Sequence, residues 1–63
     1  MKKYAEYEAN ILKWVQRGLL TQCEALYKVQ GYLQAMVDFG ELPEDRYSME
    51  FLVTTKKILN IKR

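Results

Sequence analysis

The sequence predicts an all-α fold, a small three-helix bundle with helices at about residues 3–17, 21–39 and 44–60. Three observations carry this expectation. Apolar residues recur at helical spacing in three successive segments. The breaks between those segments fall at Gly18 and at Gly40 to Pro43, residue types that stop helices or start them. A chain of 63 residues also has room for only one domain, spanning 1–63.

In the first segment Tyr4, Tyr7, Ile11, Leu12, Trp14 and Val15 fall within one arc at about 100° per residue. Glu6, Ala9, Asn10, Lys13 and Arg17 lie across from them, which makes the helix amphipathic. Gly18 suits a left-handed C-terminal cap. Thr21-Gln22-Cys23-Glu24 then has the capping-box form, in which Thr bonds a backbone N–H three residues on and Glu reaches back. The second helix therefore starts at Thr21.

That helix carries Ala25, Leu26, Val29, Tyr32, Leu33 and Met36 on one face, with Val37 and Phe39 flanking, and runs to a cap at Gly40. It is expected at the centre of the fold. Gly31 in its middle costs about 1 kcal/mol relative to Ala and reads as tolerated. Gly40 to Asp45 forms a loop, with Pro43 suited to the first turn of the third helix and Glu44 and Asp45 to its positive end. On the third segment Phe51, Leu52, Thr55, Ile58 and Leu59 share the inward face. Residues 50–55 also have strand character through their β-branched and aromatic side chains, but a strand there would have to pair with a second chain.

The counts exclude several ways of stabilising so small a domain, which buries only about 60% of the surface its unfolded chain exposes. One Cys closes no internal disulfide, and one Cys with no His builds no four-ligand Cys/His zinc site within the chain. What remains is tight helix packing, self-association or burial against a partner. The basic opening at Lys2 and Lys3 is followed by Glu6 and Glu8, where a secretion signal needs uninterrupted apolar sequence. The longest uncharged stretch around an apolar centre, Val29 to Val37, is far short of the ~20 residues that span a bilayer. A cytoplasmic protein with no membrane association is expected, with Cys23 reduced.

Catalysis is not expected. With no His, no Ser, Cys or Lys has the commonest base beside it. Cys23 lies near a helix start but no cation adjoins it in sequence, so it reads as a partly buried, inert thiol. Glu6/Glu8 and Glu44/Asp45 read as solvated surface, and Gly18, Gly31 and Gly40 are too far apart to cradle a phosphate. No cofactor, metal or catalytic residue is assigned.

Net charge is +2, but its distribution is uneven: residues 38–50 sum to −4 and residues 51–63 to +4. Lys56, Lys57, Lys62 and Arg63 form a basic C-terminal end that could grip phosphates without reading sequence. The second helix lacks the basic side chains a recognition helix needs, so a small DNA-associated protein is the alternative reading only. The stronger signal is apolar side chains where a lone bundle should be polar. Tyr27 stands opposite the core face of the second helix in a row with Gly31, Gln34 and Asp38, and Met49 and Val53 project away from Phe51 and Ile58 beside Arg46. Tyr, Met and Arg are enriched at protein interfaces. Tyr27, Gln34, Arg46, Met49 and Val53 are therefore the partner-binding candidates. The expectation is a non-catalytic protein–protein interaction module, a regulator, inhibitor or adaptor acting on another protein or forming a homo-oligomer. Autonomous chains of this size are often encoded by viruses or mobile elements, an association by size alone.

Overall fold

A computed structural model describes residues 2–62, and within them three α-helices follow one another: α1 (Lys2–Gln16), α2 (Gln22–Asp38) and α3 (Glu44–Leu59). They pack up, down and up, so α1 and α3 run parallel and α2 runs against both. The β-branched stretch at 50–55 is helical throughout, and no strand forms among the described residues.

Local sequence sets the helix ends. Thr21 closes a complete capping box on α2: its Oγ1 accepts from the Glu24 N–H at 3.0 Å, and its own N–H donates to Glu24 Oε1 at 3.0 Å. The Thr21 N–H donated to it holds the Glu24 carboxyl below its ordinary pKa, since the ionised form accepts that bond best. Gly18 and Gly40 take positive φ, 78° and 75°. At both, paired backbone bonds close a Schellman turn, with Leu19 N–H donating to the Trp14 carbonyl at 2.9 Å and Glu41 N–H to the Met36 carbonyl at 2.8 Å. Pro43 lies one position earlier than expected, at the N-cap of α3, where it makes no side-chain bond. At the other end of α3, Gln22 of α2 donates its Nε2 to the Ile58 carbonyl at 3.1 Å, a second donor to an acceptor that also takes the Ile61 N–H at 3.2 Å.

The core consists of Tyr4, Ile11 and Val15 from α1, Ala25, Val29, Leu33 and Met36 from α2, Ile58 from α3, and Leu42 from the loop. As expected, α2 is central. It touches both other helices, α3 most extensively. A Cβ at Gly31 would meet nothing, consistent with a glycine that is merely tolerated.

Several side chains depart from the expected faces. Trp14 is 38% exposed, because Ile11 and Val15 fill the middle of the α1 arc and the indole is left at its edge. Phe39 follows the last turn of α2 and is 81% exposed, while Leu42, read as loop, folds back into the core at 2%. On α3 the inward face is rotated from expectation. Tyr47, Phe51, Thr54 and Ile58 point in; Leu52 and Leu59 point out, at 54% and 57% exposure. The fully buried residue at the centre of that face is Thr54, whose hydroxyl hid the stripe from a reading by hydrophobicity. No described helix is long and apolar enough to cross a membrane.

Candidate interaction surface

The two seams that α1 makes are chemically different. Against α2 it is aromatic: Tyr7 stacks on Tyr32 with ring centres 4.1 Å apart, and the Tyr7 hydroxyl donates to the Lys28 carbonyl at 3.3 Å. Against α3 it is polar. Thr54 Oγ1 donates to Glu8 Oε2 at 2.5 Å, so Tyr4 must supply the proton of its own bond to that hydroxyl, which has only one to give. Lys57 Nζ donates to Glu8 Oε1 at 3.0 Å. Burial, reinforced by the Glu8 charge, pushes the Tyr4 phenol up to about 12. Glu8 is thus a ligand of α3, contrary to its expected solvated role. Its neutral-to-charged chain of donors clamps α1 onto α3.

Beside this clamp runs an open groove of about 210 Å³, lined by Tyr4, Ala5 and Glu8 on one wall and Arg46, Glu50, Val53 and Lys57 on the other. Its charges are matched within the chain: Arg46 pairs with Glu50 at 3.3 Å and Lys57 with Glu8. The groove is well suited to holding helices together. Among the described residues no cluster of three or more His, Cys, Asp or Glu is placed to hold a metal ion.

The five partner-binding candidates do not converge on one patch. Arg46 and Val53 line the α1/α3 groove. Gln34 lies on the other side of α3, in a cleft with Val37, Glu44, Tyr47 and Ser48, and donates to Asp38 Oδ1 at 3.1 Å. Tyr27 is 72% exposed on α2 above a hollow formed with Cys23, Leu26 and Gln30. Cys23 is itself exposed, against the expectation of partial burial, because Ala25 and Gln22 take the inward positions of that first turn. Met49 stands 64% exposed on the outer ridge of α3.

Reading by sequence missed the continuation of that ridge. With Leu52 and Leu59 turned outward, Met49, Leu52 and Leu59 join Val53 in an apolar stripe along the solvent side of α3, interrupted by the exposed Lys56. The signal is present in the spacing, but hydrophobicity alone places these leucines in the core. Of the basic residues proposed for phosphate contacts, Lys57 is engaged by Glu8, Lys56 and Lys62 are exposed, and Arg63 lies outside the described residues.

No protein-family model matches this chain, and neither a curated protein nor a solved structure is significantly similar to it.

Proposed function

We propose that the chain is a non-catalytic protein–protein interaction module that acts by occupying a partner surface, as a regulator, inhibitor or adaptor does. One observation carries this reading. Tyr27, Met49, Leu52, Val53 and Leu59, five large apolar side chains at 44% exposure or more, lie on the outer faces of α2 and α3, outside a core already closed without them. Single exposed apolar groups are ordinary, but a run of them along one helix is the composition of a contact surface. A reducing cytoplasm, where an exposed Cys23 stays unpaired, suits the reading.

The test is site-specific photo-crosslinking in the native host, with the photoreactive residue replacing Tyr27 or Met49 and a control at Ala9 on the far side of α1. Adducts to one defined protein, another copy of the chain included, that depend on the α2 and α3 positions support the reading. Equal labelling from all three sites contradicts it. Salt-sensitive recovery of nucleic acid instead of protein would replace it with the DNA-associated alternative.

A further inference from the structure

We infer that the outer stripe of α3 pairs with the same stripe of a second copy of this chain, as two antiparallel helices related by a two-fold axis. The inference rests on the interaction reading above and names the occupant. Asp45, Met49, Leu52, Lys56 and Leu59 succeed one another at intervals of four, three, four and three residues. That is the 3.5-residue repeat which keeps one seam of a helix against another helix. All five are exposed, and neither Asp45 nor Lys56 enters an ion pair among the described residues. The inward face of α3 is fully used by α1 and α2, so the second stripe has no partner within the chain.

The order of residues along the stripe selects the occupant. A helix turned end for end about the point midway between Glu50 and Phe51 sets Asp45 opposite the partner's Lys56 and Met49 opposite the partner's Leu52. The two-fold axis repeats both contacts. Two apolar layers are then bounded at each end by an ion pair of opposite charges. A parallel pair would instead set like charge on like. The wider charge distribution agrees, because residues 38–50 sum to −4 and residues 51–63 to +4, and only the antiparallel arrangement brings these segments together. Helix dipoles also favour it. A uniformly acidic or basic partner would match one half of α3 and repel the other. The seam of two short helices falls at the small end of specific interfaces, below about 1,200 Å² in total, so the dimer is reversible and forms as concentration rises.

Charge reversal tests orientation and register together. In sedimentation equilibrium the wild-type chain shifts toward twice its 7.5 kDa mass with concentration, and Asp45→Lys or Lys56→Asp each weakens dimerisation at least tenfold. Mixing the two variants restores a heterodimer, and the doubly reversed chain D45K/K56D dimerises again. Unchanged helical circular dichroism shows that the single variants still fold. A wild type that stays monomeric, single variants that dimerise normally, or a mixture that fails to recover each overturns the seam. If crosslinking from Tyr27 or Met49 to a different protein survives such a result, the interaction reading stands and only the second copy is removed. If that crosslinking is absent as well, both fail.

Discussion

On its inner face α3 sets Tyr47, Phe51, Thr54 and Ile58 at intervals of four, three and four residues; on its outer face it sets Asp45, Met49, Leu52, Lys56 and Leu59 at the same intervals. The inner stripe is the one that folds, although its central residue is a threonine and the outer stripe offers two leucines and a methionine. Charge decides between them. Turning the outer stripe inward would take the charged Asp45 and Lys56 out of water, a cost above that of burying one hydroxyl that is already bonded. Thr54 is cheap to bury because Tyr4 and Glu8 both reach it. Spacing therefore defines the faces of the helix, and the availability of polar partners selects which of them closes the monomer.

The contrast predicts unequal costs for neighbouring substitutions, measured by chemical denaturation in dilute solution. Ile58→Ala, on the fully buried side, should lose about 2–5 kcal/mol of stability, enough to unfold much of a domain this small. Leu59→Ala, next in the chain but on the outer side, should change the dilute monomer by no more than about 0.5 kcal/mol. Equal losses would erase the distinction between the faces.

Thr54 and Thr55 give a second neighbouring pair. Thr54→Val leaves the Tyr4 hydroxyl and Glu8 without their shared partner and should cost about 1–3 kcal/mol. Thr55 Oγ1 is buried with no bond of its own, so Thr55→Val should be neutral or stabilising by up to about 1 kcal/mol. The same network has an alkaline signature. Because the Tyr4 phenol titrates near 12 in the fold against 10 when free, its contribution is intact below pH 10 and is lost as pH rises toward 12. Tyr4→Phe should flatten that part of the pH–stability curve, and an unchanged slope would place the phenol in water.

Smaller effects sharpen the picture of α2. Gly31→Ala should raise the midpoint of unfolding, by about 1 kcal/mol in stability, since the added methyl meets nothing. Glu24 titrates below its ordinary range in the fold, so its capping contribution is present above the free carboxylate pKa and is lost as pH falls through the lowered folded value. Glu24→Gln should lessen the acid-limb slope, slightly, because the group is exposed.

The helices and their ends were legible in the sequence because their causes are local. Thr21 and Glu24 lie within one turn, and each Schellman turn needs only a glycine and its own helix. What escaped detection depends on residues far apart in the chain. Thr54 looks like a surface residue until Tyr4 and Glu8 are beside it, and Glu8 looks solvated until Lys57 is. Leu42 is indistinguishable from loop sequence until the turn at Gly40 sends it back onto the core. Tyr27, Met49 and Val53 read as outward because they fall in rows with polar residues, whereas hydrophobicity alone draws Leu52 and Leu59 inward. The same error hid the repeat on which the dimer seam depends.

The central claim, that α3 carries one stripe for folding and another for association, is tested most directly by the molar mass of the wild-type chain in solution across a wide concentration range. The account predicts a reversible rise from 7.5 kDa toward twice that value, with helicity constant throughout. A mass fixed at 7.5 kDa at every concentration would contradict it.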